Sequence, residues 1–270
     1  MSQNISTRRQ LLGTLVAATT WMLTPAAQAQ TQAQTQELLI YCGITMVRPI
    51  TELARQFEKR EGVRILITQG GSEDLYQSAK KSRRGDLYLP GEPSYRDKHI
   101  ADGLLGDFKV VGYNQMALFV QKGNPKRVQP ALRQLLRKDL VVTIGSANSG
   151  SVGLESKQML DREKLYPEVI AKAAFLMPDS RALNLSLKRG EADVALNWRA
   201  TAFFPDNEPY IDVVDLDPKV AQPQALLLNQ LTFSQYPALA RKFTDFVVSP
   251  AGQAVFRKHG FLDAQQKSRG

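Results

Sequence analysis

Short β-rich apolar runs alternate along this chain with segments whose apolar positions recur every three or four residues. The first such pair is the run 38–40 followed by Ile50, Leu53, Ala54 and Phe57. The spacing predicts a helix over 50–60, a strand over 63–68, a second helix over 72–83 and a short strand over 86–89 that Pro90-Gly91 ends. A helical turn over 94–101 comes next, then a longer strand over 113–121 closed by Lys122-Gly123-Asn124-Pro125. Beyond it the pattern predicts a short helix over 131–137, a buried strand over 141–144, helices over 154–160 and 180–189, and strands over 192–198 and 225–228. Two last helices, 236–247 and 251–258, are split by Ser249-Pro250. Strands alternating with helices predict an α/β fold.

Two turns carry the first chemical signal. Tyr41-Cys42-Gly43-Ile44-Thr45 and Gln69-Gly70-Gly71-Ser72-Glu73-Asp74 each follow an apolar run and precede an amphipathic one. Glycine lets the backbone turn sharply and approach a ligand. The hydroxyl is expected to cap the helix, whose free N–H groups and positive dipole end point outward. Two such turns at neighbouring strand ends make an anion site without any lysine. Either turn alone reads equally as an ordinary βα loop with an ordinary cap. The stretch 145–153, rich in glycine and serine, is expected to be a hydrogen-bonding rim or a flexible loop. Asp179 or Ser180 is expected to cap the helix that Gly190 ends.

The first 29 residues read as an export signal: Arg8 and Arg9, an apolar run over 11–23, and the small-x-small site Ala27-Gln28-Ala29. The run is short for a membrane span. Thr7-Arg8-Arg9-Gln10-Leu11-Leu12 resembles a twin-arginine signal, with plain Sec export the other route. Residues 30–36 are a polar leader. The mature chain of about 240 residues is long enough for two lobes with their own cores. Losing Arg8 and Arg9 lowers the formal charge of +9 by two, and a basic exported protein suits acidic partners. No base-reading motif or basic-aromatic stripe is present, which argues against nucleic acid. The single cysteine, Cys42, excludes an intrachain disulfide. With His99 and His259 the only histidines, no nucleophile–base pair and no metal-ligand spacing emerge. Asp86 and Glu92 flank an ordinary Pro-Gly bend. The chain does not read as an enzyme, and no cofactor is implied.

Several segments, in order and spacing, resemble the periplasmic molybdate-binding proteins of ABC importers. They are Thr45 in its turn, Gly70-Gly71-Ser72, Gly85-Asp86-Leu87-Tyr88, Lys122-Gly123-Asn124-Pro125 and Arg189-Gly190-Glu191-Ala192-Asp193. At the C-terminal end they are Ser249-Pro250-Ala251-Gly252-Gln253-Ala254-Val255 and Lys258-His259-Gly260-Phe261. The resemblance implies a type II periplasmic binding protein: two Rossmann-like α/β lobes, a two-stranded hinge and a ligand cleft between them. Residues 37–115 then form lobe 1, 116–222 lobe 2, and 223–270 return to lobe 1. It also implies a periplasmic monomer that hands a tetrahedral oxyanion, molybdate or tungstate, to ABC permease subunits. The implied donors are Thr45, Ser72, the Val152 backbone N–H, Ser180 and Trp198. Cys42, Gly71, Ser151, Arg181 and Arg199 are auxiliary candidates beside them.

Three departures bear on the ligand. Trp198 stands where the family has a tyrosine, the first turn reads Cys-Gly-Ile-Thr, and Glu73 and Asp74 repel an anion if they face the cleft. Arg48, Arg181 and Arg199 supply positive charge beside the binding turns, or are solvated surface side chains. The alternative is a sensor-type binding protein that signals to a membrane kinase, with arsenite, arsenate or a phosphate-like ligand. There Cys42 offers a thiolate to arsenite; otherwise it is a small buried strand residue.

Overall fold

The computed structural model describes residues 36–266. The export signal over 1–29 and the leader over 30–36, apart from Gln36, lie outside the described residues. The chain opens β1 (Glu37–Gly43), α1 (Val47–Glu61), β2 (Arg64–Gly70), α2 (Ser72–Ser82), β3 (Leu87–Leu89), α3 (Ser94–His99) and β4 (Leu105–Asn114). It continues with β5 (Met116–Gln121), β6 (Val142–Gly145), α4 (Ser151–Arg162), α5 (Tyr166–Lys172), β7 (Phe175–Met177), α6 (Ser180–Lys188), β8 (Val194–Trp198) and β9 (Ile211–Val214). It closes with β10 (Gln224–Leu231), α7 (Pro237–Val248) and α8 (Pro250–Lys258).

These strands form two five-stranded mixed sheets, ordered β2-β1-β3-β10-β4 and β7-β6-β8-β5-β9. Each has its own apolar core. Ile40, Leu53, Phe57, Phe243 and Phe256 fill one, and Leu118, Phe119, Ile144, Leu196 and Trp198 the other. α1 is amphipathic, tolerates Pro49 in its first turn where no intrahelical donor is lost, and stops at Gly62 in the left-handed conformation (φ 68°). Two chain crossings join the lobes, at Gln115 between β4 and β5 and over 215–223 between β9 and β10. The crossings meet where Gln224 pairs with Asn114. This is the hinge.

Register positions the site. β1 runs parallel to β2 and β3, with Gly43 opposite Gly70 and Cys42 opposite Leu89, so the turns after these three strands lie side by side. In the second sheet β6 is parallel to β7, with Gly145 opposite Met177, which brings together the loops leading into α4 and α6. Ligands of open α/β sheets bind outside the carboxyl ends of parallel strands.

The expected elements need four corrections. The strand expected over 113–121 is two strands in different sheets, broken at Gln115. β4 begins at Leu105, well before the expected start, because its exposed Asp107, Phe108 and Lys109 and its bulge near Gly112 (φ 156°) hide any alternation. The short helix expected over 131–137 is a 3₁₀ turn, Leu132–Leu136. α4 starts at Ser151, so Ser151 and Val152 sit in a helical first turn and not in a loop.

Candidate functional site

Four chain segments converge at the strand ends: 43–45, 70–72, 150–152 and 179–180. Between them lies a small cavity of about 20 Å³, room for roughly one water molecule. Thr45 and Ser72 reach it from lobe 1, Ser151, Val152 and Ser180 from lobe 2, with Gly43, Gly70, Gly71 and Gly150 as the close backbone. Among the described residues no lysine or arginine lines it, and the one acidic residue that does is Asp179.

The two hydroxyls expected as caps are not caps. Ser72 is the first helical residue of α2, preceded by Gly71, and no side chain caps that helix. Its Oγ accepts a hydrogen bond from the Gly91 N–H at 3.0 Å. Thr45 lies in a 3₁₀ turn, also without a side-chain cap, its Oγ1 directed to Met46 Sδ at 2.7 Å. α4 likewise starts from glycine, Gly150, with no side-chain cap. Glycine at these positions leaves the first N–H groups of α2 and α4 unclaimed by side chains, and the positive helix ends face the cavity. Of the three helices that start at the cavity only α6 is capped: Asp179 accepts from the Ala182 N–H at 2.9 Å. Ser180, next to it, is 3% exposed, and its Oγ has no hydrogen-bond partner among the described residues. A buried hydroxyl left unpaired is uncommon.

The lobes touch across the cavity. A Cβ on Gly71 would lie 2.8 Å from the Ser149 carbonyl oxygen, and one on Gly91 would overlap the Ser151 side chain. Two glycines of lobe 1 thus let lobe 2 approach. Arg181 donates across the cleft to Gln69 Oε1 at 3.1 Å, and Arg48 pairs with Asp206. Beside the small cavity, and sharing Ile44, Thr45 and Ser180 with it, is a larger cleft of about 460 Å³ that Arg48, Arg181 and Lys188 also line.

Of the sequence-derived residues, Thr45, Gly71, Ser72, Ser151, Val152 and Ser180 come together, with Arg181 at the adjoining cleft. Three do not line either space. Trp198 is fully buried, and its indole N–H donates to Ser151 Oγ at 3.2 Å, so it orients Ser151 from behind. Arg199 makes a bidentate pair with Asp215 at 2.6 and 3.1 Å and stacks on Phe203. Cys42 is fully buried in the lobe 1 core; its thiol reaches only the Gly43 carbonyl, at 3.5 Å, and burial pushes its pKa far up. A thiolate for arsenite is not available there.

The carboxylates of the α2 first turn line neither space. Burial raises the Glu73 carboxyl, but hydrogen bonds from Lys98, Gln77 and His99 outweigh it and hold the pKa at about 2. Asp86 accepts from the Leu39 N–H and Ser234, and Glu92 from the N–H and hydroxyl of Ser94, so both serve local structure. Among the described residues no cluster of His, Cys, Asp and Glu fits a metal ion. Sequence reasoning missed the role of Gly91, whose Pro-Gly pair reads only as a strand-ending bend.

Comparison with known proteins places this geometry in a family. The model of the bacterial extracellular solute-binding proteins matches residues 38–262. A Haemophilus influenzae protein described as a binding protein is 24% identical over 257 residues, covering 93% of this chain and 99% of the relative. The substrate-binding domain assigned to a molybdenum ABC transporter of Clostridium difficile superposes with a TM-score of 0.66 at 20% identity, covering 84% and 98% of the two chains. The sulfate-binding protein SubI of Mycobacterium tuberculosis gives 0.74 at 14% identity, covering 85% and 87%. Other neighbours of this fold are described with L-phospholactate, thiamin or iron, so the likeness fixes the fold and leaves the ligand to the residues.

Proposed function

This chain belongs to the bacterial extracellular solute-binding proteins, and from that premise we propose that it captures a tetrahedral oxyanion between its lobes and delivers it to an ABC importer. One observation carries the reading. The uncapped N-termini of α2 and α4 and the unpaired Ser180 hydroxyl at the start of α6 face one cavity that no cation among the described residues lines. Backbone N–H groups and hydroxyls donate to a dehydrated anion, each bond strengthened by the ligand's charge and by the helix dipoles. Donors without free acceptors favour a fully ionised oxyanion over a protonated one. Asp179 is the exception: the Ala182 N–H engages only its Oδ1, so a carboxylate acceptor remains at the edge of the cavity.

Molybdate and tungstate are the free ligands that the family resemblance implies, with sulfate and phosphate of the same shape. The cavity of about 20 Å³ must widen to admit any of them, and rotation about the Asn114–Gln224 hinge supplies the opening. The working protein is read as a periplasmic monomer that meets the permease in its closed form. Of the sensor-type alternative, arsenite loses its support with Cys42 in the core, while arsenate and a phosphate-like ligand fall within the oxyanion reading. A thermal-shift panel of molybdate, tungstate, sulfate, phosphate and arsenate tests the proposal, on protein unfolded and refolded to strip bound ligand. A rise in Tm that grows with ligand concentration is expected by mass action. No response to any of the five refutes the reading.

A further inference from the structure

An oxyanion in the small cavity leaves the adjoining cleft without a role. That cleft is about 460 Å³, within the range of roughly 300–1,000 Å³ usual for organic ligands. Ser180, Arg181, Asn184, Leu185 and Lys188 line it, and their spacing is one face of α6. At 1.5 Å per residue, the run from Ser180 to Lys188 covers about 12 Å. The space is therefore a groove that follows α6 away from the oxyanion cavity.

Its charges do not balance. Three cations, Arg48, Arg181 and Lys188, line it with one carboxylate, Asp206, which Arg48 already holds. Arg181 donates to the Gln69 amide oxygen. Lys188 donates to the Asp206 carbonyl at 2.6 Å and to Asn207 Oδ1 at 3.4 Å. These acceptors are neutral. At the start of the groove stands the buried, unpaired Ser180 hydroxyl, which borders both spaces. Leu185 and Phe204 give the groove an apolar wall, and Asn184 and Asn207 supply amides.

We infer that the ligand is a phosphomonoester of an elongated, carboxylate-bearing organic molecule. Its phosphoryl head occupies the cavity at the helix N-termini, its carbon chain follows α6, and its carboxylate meets Arg181 or Lys188. Guanidinium suits a carboxylate because its N–H groups match the two oxygens in one plane. The inference rests on the oxyanion reading above and specifies what carries the oxyanion.

The test is calorimetry on refolded, ligand-free protein with 6-phosphogluconate, whose phosphate and carboxylate sit at opposite ends of one chain. Glucose 6-phosphate lacks the carboxylate, gluconate lacks the phosphate, and inorganic phosphate and molybdate lack the chain. The expected result is 6-phosphogluconate binding at least about tenfold tighter than glucose 6-phosphate or inorganic phosphate, with gluconate not binding. Lys188→Met and Arg181→Gln should shrink that margin, and Lys188→Arg should keep it. Folding of each variant is checked by its Tm without ligand. Inorganic phosphate or molybdate binding as tightly as 6-phosphogluconate overturns the inference and leaves the oxyanion reading standing. Equal affinity for glucose 6-phosphate and 6-phosphogluconate, or a margin that neither variant changes, overturns the carboxylate assignment. Binding of gluconate alone, or of no compound in the set, overturns both.

Discussion

Replacing Gly71 by alanine separates lobe closure from folding. The residue has φ −66° and ψ 144°, a conformation open to any amino acid, so alanine brings no backbone strain. It also restricts the unfolded chain, which stabilises a compatible site by about 0.4–1 kcal/mol. The new methyl, however, lies 2.8 Å from the Ser149 carbonyl oxygen in the other lobe, where ordinary contact begins at 3.4 Å. The atom it meets is backbone and cannot swing away. Overpacking of this kind costs about 1–3 kcal/mol. Here that cost falls on the closed form alone, because opening the cleft removes Ser149 from the methyl. Oxyanion affinity should therefore fall about five- to a hundredfold, while the Tm without ligand stays level or rises. Titration calorimetry with molybdate or phosphate, beside scanning calorimetry of the ligand-free protein, measures the two quantities. Affinity within twofold of the parent, or a Tm that drops in step with affinity, refutes the argument that this contact belongs to the bound state.

Three further outcomes follow from the geometry. Ser180→Ala removes a hydroxyl that has no partner among the described residues, so the ligand-free Tm should hold or increase, while loss of a charge-assisted hydrogen bond of about 1.5–3 kcal/mol weakens oxyanion binding roughly ten- to a hundredfold. Equal binding by this variant removes Ser180 from the site. Cys42→Ser should lower the Tm and leave oxyanion affinity within about twofold, and the native thiol should resist alkylation until the protein unfolds, since it is buried with a raised pKa; rapid labelling of the folded protein contradicts this. Glu73 titrates at about 2 in the folded protein against an ordinary 4.5, so the unfolded chain binds more protons between these values, and its stabilisation is full above pH 4.5 and lost as pH falls towards 2. Glu73→Gln should then lower the Tm at pH 7 by a modest amount that shrinks across that window, and a pH-independent difference argues against the Lys98 and His99 contacts.

Where periodicity was strong the fold was legible: α1, α2 and α6 bury one clear apolar face each, and their limits fall within a few residues of those expected. Edge and crossover strands were not. β4 is an edge strand that pairs with β10 and, at Tyr113, with Leu262; it exposes Phe108 and carries glycine where its backbone bends, so alternation is lost. The break at Gln115 leaves no mark because the apolar positions over 110–113 and those of β5 read as one strand, and only pairing partners reveal that the chain changes sheets. At the site, the strand–glycine–hydroxyl pattern located the two lobe 1 turns. It misjudged what the hydroxyls do, since capping depends on side-chain direction and Ser72 instead takes the Gly91 N–H. Proximity in sequence also misled: Trp198 ends β8 and Arg199 follows it, yet Arg199 pairs outward with Asp215 and Trp198 lies behind Ser151. Gly91 and Ser151 meet only in three dimensions, and no local pattern announces them.

The central claim is the place of the oxyanion, and a crystal soaked with tungstate measures it directly, because tungsten scatters anomalously. The account predicts one dominant anomalous peak in the cavity between the start of α2, the start of α4 and Ser180, within hydrogen-bond reach of the Ser72 and Val152 N–H groups through its oxygens. Loss of that peak in Ser180→Ala crystals soaked at limiting tungstate would complete the result. A dominant peak over Arg181 and Lys188, or on surface lysines, with none in the cavity between the helix N-termini would contradict it.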